Sequence, residues 1–456
     1  MSSNRQIGLT EGPIFQTVMK LALPIMASAF LSAAYSITDM AWIGMLGSKA
    51  VAGVGVGGMY VWLSHGFSSL ARMGGQVQAA QALGRGDNEQ AKWYASAAIQ
   101  MVAVFGILYG LSCIIFIDPL IGFYNLDDAL TIQYAKIYMQ LTCGLIIFSY
   151  ISNTLTGLYT AQGDSKTPLK ANFIGLVMNM ILDPVLILGV GPFPRLEVVG
   201  AALATVISQF IVLSVLVMGI VRNKNQDNIL RHIPLFKPAD RMYYRMIAKI
   251  GIPTALQSSL YCFISMVLTR IIGNFGEGAI ATQKVGGQIE AITWNTGEGF
   301  GAAMNAFAAQ NYGAGKIERV KKGYRVSALA MVIWGALIGG LFVIFPAQIS
   351  GIFLHEPEVI QTAVPYFIIV GLAEPLMCVE LMAVGAISGL GNTKLCSVLS
   401  IVLTGLRIPL ALVLSSTGLG VDGIWWALSL TSMIKGVAMH LAFGWTLRNE
   451  LHLKTE

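Results

Sequence analysis

Two aspartates stand in otherwise apolar stretches of the first half of the chain, Asp39 within 17–46 and Asp183 within 169–191. Each has a polar partner four residues earlier, Tyr35 and Asn179, so acid and partner share one helical face. Counted from the outer end of its stretch, each acid lies ~10 to 12 Å deep at the rise of an α-helix. A carboxylate at that depth costs about 2.5 to 3.5 kcal/mol, so two at one level call for a function. Phenol, amide and carboxylate oxygens together suit either a proton shared between the acids or a sodium ion held at Asp39, Asn179 and Asp183. The alternative is a structural pair in which each acid hydrogen-bonds a neighbouring helix, although no embedded base in this half neutralises them.

The second half carries a different set: Glu290, Glu298, Glu374 and Glu380 beside Arg407 and Lys435. Glu290, Trp294 and Glu298 follow at four-residue spacing, a stripe of carboxylate, indole and carboxylate able to hold a lipophilic cation by charge and cation-π attraction. With Glu374 it forms a candidate substrate site; the alternative is a salt-bridge network that stabilises this half. Met178 and Met180, with Met304 and Met377, add flexible thioethers that suit varied ligands or ordinary packing.

The elements that must position these residues are membrane helices. The chain has 456 residues, 55% hydrophobic and only 11% charged, which excludes an ordinary soluble globular protein. Apolar stretches long enough to cross a bilayer recur twelve times, the first at 17–46 and the last at 421–446. The first reads as a retained helix and not as a cleaved signal. Of the 29 basic residues, Lys49, Lys136 and Arg195 fall outside and Arg270, Lys284, Arg407 and Lys435 within helices; the rest lie on the side of the N-terminus. That sorting predicts cytoplasmic termini, with Asp127, Asp128, Glu356 and Glu358 in external loops. It also accounts for the net charge of +6 without nucleic acid, because the bases are spread over successive loops. The five cysteines, Cys113, Cys143, Cys262, Cys378 and Cys396, lack paired spacing and read as packing thiols.

The sequence is a tandem duplication. A shift of 229 residues lays Pro24 on Pro253, IGMLG at 43–47 on IGNFG at 272–276, VGG at 56–58 on VGG at 285–287, and AAQALGRG at 79–86 on AAQNYGAG at 308–315. A shift of 228 aligns GDSK at 163–166 with GNTK at 391–394. The predicted fold is all-α: two homologous six-helix lobes, 1–221 and 247–456, joined by a basic linker at 222–246 that holds Arg222, Lys224, Arg231, Lys237, Arg241 and Arg245. Repeats of equal orientation that face a shared cleft point to a transporter.

These paired blocks, with Asp39 and the NMILDP run at 179–184, resemble the multidrug and toxic compound extrusion (MATE) family over essentially the whole chain, and most of all its branch related to the DNA-damage-inducible F protein. The resemblance implies paired lobes, alternating access, and efflux of organic cations or amphipathic compounds by antiport with protons or sodium ions. It carries ion coupling onto Tyr35, Asp39, Asn179 and Asp183 and a helix bend onto Pro24, with Asn153 and Thr205 as further polar members. In the second repeat the position of Asp39 is Leu268 and that of Asn179 is Arg407. Where the family's sodium-coupled branch has acids in helices 7 and 10, this chain has Tyr261 and Met377, which disfavours coupling there. No cofactor, no nucleic-acid partner, a monomeric state and a plasma-membrane location are expected.

Two rival functions lack what they require in this sequence. A lipid-linked oligosaccharide flippase of the same broad fold needs a basic cavity, and the first half has no helix-centre base. A membrane enzyme needs a nucleophile with its base or a metal set, and among intramembrane positions only His65 and His440 are histidines. Direct use of ATP is disfavoured too, since no G-x-x-x-x-G-K-[ST] loop occurs.

Overall fold

The computed structural model describes residues 8–453 apart from 125, 127, 190–193, 224–227 and 354–356. Of the loop charges named above, Lys224, Asp127 and Glu356 lie outside the described residues, as does the side chain of Glu358. The described residues are helical and contain no strand, in agreement with the all-α expectation.

The first repeat runs α1 (Ile14–Gly44), α2 (Ser48–Gly84), α3 (Asn88–Ile115), the short α4 (Ile117–Gly122), α5 (Ala129–Gly144), α6 (Ile147–Ala161), α7 (Lys166–Leu188) and α8 (Glu197–Arg222). The second runs α9 (Arg241–Gly273), α10 (Glu277–Gly313), α11 (Ile317–Ile344), the short α12 (Pro346–Phe353), α13 (Pro357–Gly389), α14 (Thr393–Gly405), α15 (Arg407–Ser415) and α16 (Val421–Leu453). Among the described residues, nine helices are long and apolar enough to cross a membrane, and α5 with α6, bent by 45°, makes a tenth span. The other two expected spans correspond to α2 and α10, each 37 residues long but interrupted by glycines and polar residues.

Contacts divide the chain into two compact units, and the division does not fall at the linker. One unit is built on Leu23–Ala255, while Gly8–Ala22 belongs with Leu256 onward. In the second unit, side chains of α10 and α11 hold the segment before α1. Asn311 Nδ2 donates to the Leu9 carbonyl at 3.0 Å, Lys316 Nζ to that of Thr10, and Arg319 to those of Glu11 and Gly12. Leu9 is fully buried there. In the first unit the 228–240 stretch is treated similarly: Ile229 N donates to Gln162 Oε1, and Ser96 and Gln100 of α3 bind the carbonyls of Pro234, Leu235 and Lys237.

One glycine does the same work in both repeats. A Cβ on Gly57 of α2 would stand 3.0 Å from the Ala135 carbonyl and 3.1 Å from the Tyr138 ring of α5. Its repeat mate Gly286 on α10 would place a Cβ 2.0 Å from the Tyr366 ring of α13. Bare backbone at these points draws a tyrosine against the acid-bearing part of each unit.

Candidate functional site

The first unit contains a cavity of about 530 Å³ between α1, α2, α5, α6, α7 and α8. Tyr35 and Asp39 reach it from α1, Asn153 from α6 and Thr205 from α8. Asn179 and Asp183 lie behind this lining, fully buried in α7, where Asn179 Nδ2 donates to Asp183 Oδ1 at 3.1 Å. The four-residue spacing therefore closes as a hydrogen bond inside the helix. Asp39 and Asp183 stand within electrostatic range of each other, and Thr205 lies beside both Tyr35 and Tyr138.

Most of these oxygens have no protein partner. The Tyr35 hydroxyl, Asp39 Oδ1, Asn179 Oδ1, Asp183 Oδ2 and the Thr205 hydroxyl are buried and make no hydrogen bond. Buried polar atoms are paired in the great majority of cases, so a concentration of orphans marks a place built for a proton, an ion or water. Among the described residues no group of three or more His, Cys, Asp and Glu side chains is placed to hold a metal ion. A cation here would rest on two carboxylates with amide, phenol and hydroxyl oxygens.

Not every named residue gathers at this cavity. Met178 and Met180 lie on α7 but do not line it, and Met180 is exposed. Pro24 is internal to α1, whose helix runs through it, just beyond Ala22, where the second unit gives way to the first. Conversely, Tyr138, Trp62 and Asn172 line the cavity without any sequence signal being read at them, and His65, named above only against an enzyme, lines it too. Tyr138 had a legible signal, since the 228-residue shift pairs it with Tyr366, a tyrosine beside a buried acid in each repeat.

The second unit has a smaller cavity, about 140 Å³, lined by Tyr261, Glu290, Trp294, Tyr366 and Arg407 among others. The Tyr366 hydroxyl donates to Glu290 Oε2 at 3.2 Å, and the Tyr261 and Trp294 rings sit 5.8 Å apart. Glu298 is exposed and does not line this cavity, so the stripe on α10 contributes two of its three members. Arg407 donates to the hydroxyls of Thr431 and Ser432. Lys435 forms a buried 2.7 Å ion pair with Glu380. Glu374 is buried with both carboxylate oxygens unpartnered. Of the charges named here, only Lys435 and Glu380 form an ion pair among the described residues.

Repeated blocks of apolar helices, a bent span and a buried acid pair beside a cavity are the attributes of a membrane transporter. The chain belongs to the MatE family, whose model matches residues 24–185 and again 253–413, one match in each repeat. Members of this family are transporters and not enzymes. Among similar proteins, a FAD transporter of Shewanella oneidensis is 25% identical over 95% of this chain and 95% of its own length. A probable multidrug resistance protein NorM of Thermotoga maritima is 26% identical over 90% of this chain and 88% of its own. A solved structure, the outward-facing conformation of a multidrug resistance MATE family transporter of the MOP superfamily, superposes with a TM-score of 0.89 over the whole of both chains at 19% identity. That superposition establishes the MATE/MOP fold.

Proposed function

We propose that the protein is a secondary active multidrug efflux transporter of the plasma membrane, with both termini cytoplasmic, that exports organic cations or amphipathic compounds by antiport with protons or sodium ions. Small-molecule cations are its partners, and a monomer suffices. In this reading 1–221 and 247–456 act as two lobes joined by the 222–246 linker, and the path is open to one side of the membrane at a time. The observation that carries it is the cluster of buried, unpartnered oxygens from Tyr35, Asp39, Asn179, Asp183 and Thr205 beside the larger cavity. A proton or sodium ion arriving from outside neutralises the acids, and the cation held against them loses its counter-charge. Antiport follows because each ligand shifts the equilibrium only through its differential affinity, and the coupling is reciprocal. Tyr138 and Thr205 position the acids, and Trp62 and Met59 offer an indole and a thioether to the cargo. Glu290, Trp294 and Glu374 shape affinity from the second unit.

The test is uptake of a fluorescent cation by proteoliposomes under separately imposed proton and sodium gradients. Accumulation driven by one gradient and lost in Asp39→Asn and Asp183→Asn supports the reading. Near-normal antiport in both variants removes this site from the mechanism. A second reading, an anionic aromatic cargo, is favoured by Arg407 lining a cavity with the Tyr261–Trp294 pair and by the relative named a FAD transporter. Gradient-independent inhibition of cation export by FAD separates the two.

A further inference from the structure

The loop between the repeats carries one side chain in a position that folding alone does not explain. Phe236 is completely exposed, at 103% of its reference area, while its backbone neighbours are held with unusual care. Ser96 Oγ donates to the Pro234 carbonyl at 3.0 Å, and Gln100 Nε2 donates to the carbonyls of Leu235 at 2.8 Å and Lys237 at 2.7 Å. Gln100 is itself fixed, because its Oε1 accepts from the Tyr244 hydroxyl, which also accepts from Ala239 N at 3.2 Å. Upstream, Asn228, Ile229 and Leu230 are buried, with Ile229 N bound to Gln162. The loop is thus pinned at both sides of a tip whose aromatic ring and half-exposed Leu235 point away from protein.

The depth of that tip follows from α3. Its 28 residues span ~42 Å, against a hydrocarbon core of ~30 Å, so the helix overshoots by ~12 Å, about eight residues. The overshoot lies at the start, where Glu89 and Lys92 sit, and places Ser96 at the hydrocarbon boundary and Gln100 about one turn inside it. Gln100 also begins a face that continues at Val104, Leu108, Leu111 and Ile115, all exposed and apolar. Phe236 therefore stands at the headgroup end of a lipid-facing stripe. Around it Arg231, Lys237, Arg241 and Arg245 are exposed, and none joins an ion pair among the described residues. Just behind, Tyr243 packs on Trp93 and Tyr94, an aromatic group at the level where such rings collect in membranes.

We infer that the 231–245 stretch is an interfacial anchor for anionic phospholipid: Phe236 and Leu235 insert at the boundary of headgroups and acyl chains, and Arg231, Lys237, Arg241 and Arg245 bind the phosphates of the surrounding lipids. The hydrogen bonds from Ser96 and Gln100 hold the turn at the tip, closed by Lys237 N to the Pro234 carbonyl at 3.2 Å, so insertion costs little ordering. Each basic side chain near an anionic surface contributes about a fivefold preference for charged over neutral lipid.

The test uses the full chain reconstituted in vesicles of phosphatidylcholine and phosphatidylglycerol in equal parts, with the photo-crosslinking change Phe236→p-benzoylphenylalanine. Irradiation should give an adduct of the mass of one phospholipid, phosphatidylglycerol being favoured several-fold. An adduct to a second copy of the chain, or no lipid adduct, overturns the insertion. Native mass spectrometry supplies the second arm. Arg231→Gln, Lys237→Gln, Arg241→Gln and Arg245→Gln combined should cut retained phosphatidylglycerol by more than about tenfold, less than the product of the single effects because neighbouring charges share lipids. Equal retention of both lipids by the wild-type chain overturns the phosphate recognition. The altered positions are exposed, so loss of fold does not confound the measurement.

Discussion

The two repeats share one sequence pattern and interrupt it in different helices. In the first, the fourth span is broken into α5 and α6 at Leu145 and Ile146, and α7 runs unbroken past Asn179 and Asp183. In the second, the fourth span is the continuous α13, and the fifth, α14 with α15, is interrupted at Leu406 alone and still makes one span. The side chains follow. Asn179 and Asp183 on α7 answer to Arg407 and Ala411 on α15, and Asp39 on α1 answers to Leu268 on α9. Leu268 and Ala411 pack together in an apolar cluster with Ile264, Ile272 and Ile424. What was kept in both is the glycine that admits a tyrosine, Gly57 with Tyr138 and Gly286 with Tyr366. Duplication preserved the scaffold and freed the acids of one copy to move elsewhere.

The sharpest way to break this contrast is to remove acids from each side. Asp39→Asn or Asp183→Asn should abolish gradient-driven export while expression and folding persist, whereas Glu290→Gln or Glu374→Gln should shift cargo affinity or stability and leave coupling intact. Uptake and binding measured on the same preparations decide it; loss of coupling in the second pair with normal cargo binding would erase the contrast. Cargo affinity should also fall on acidification in the wild type, because protonated acids no longer attract a cation.

A smaller effect, on stability alone, belongs to the second unit. Lys435→Met leaves Glu380 buried without its partner and should cost about 3 to 5 kcal/mol, mostly recovered when Glu380→Met is added. Thermal unfolding in detergent reads both, and a silent single variant would show that the pair is not buried. Smaller again is Gly286→Ala, which drives a methyl into the Tyr366 ring and should cost about 1 to 3 kcal/mol. Gly57→Ala should cost less than Gly286→Ala, since its nearest approach is 3.0 Å against 2.0 Å.

The least effect is expected outside the membrane, at the cap of α5. The Lys49 ammonium bonds Asp128 at 2.6 Å, and together with the Thr131 amide and hydroxyl it holds the Asp128 carboxyl down to about 2. A carboxylate whose folded value is depressed contributes stability that is present above its unfolded value and is lost as pH falls toward about 2. Lys49→Ala should therefore move the acid limb of the stability curve slightly upward in pH without touching transport. The surface pair is screened, so the shift should shrink further in high salt.

Much of this was legible in the sequence because it is local or repeated. Asn179 and Asp183 are one turn apart, so their contact needs only a helix, and the duplication shows itself as a constant shift. What escaped depends on distant partners. Tyr138 and His65 reach the cavity through the packing of α2 and α5, which no periodicity reports. The break at Leu145 and Ile146 contains neither proline nor glycine at the joint itself, only Gly144 before it. The stripe of Glu290, Trp294 and Glu298 has the right spacing, yet spacing cannot tell which turn of a long helix faces a neighbour. The same limit applies to Met178 and Met180, which share a helix with the acids but turn from the cavity.

The segment ahead of α1 sets a timetable for synthesis. Leu9 leaves the ribosome well before its partner Asn311, which lies 302 residues later. At roughly 5 to 20 residues per second that interval is on the order of 15 to 60 s. Through it, the opening turns of the first helix must wait at the membrane surface with Leu9 uncovered and the carbonyls of Thr10, Glu11 and Gly12 without Lys316 and Arg319. Emergence of Asn311, Lys316 and Arg319 is thus the event that seats the segment ahead of α1, and the insertion machinery or a chaperone has that long to guard it.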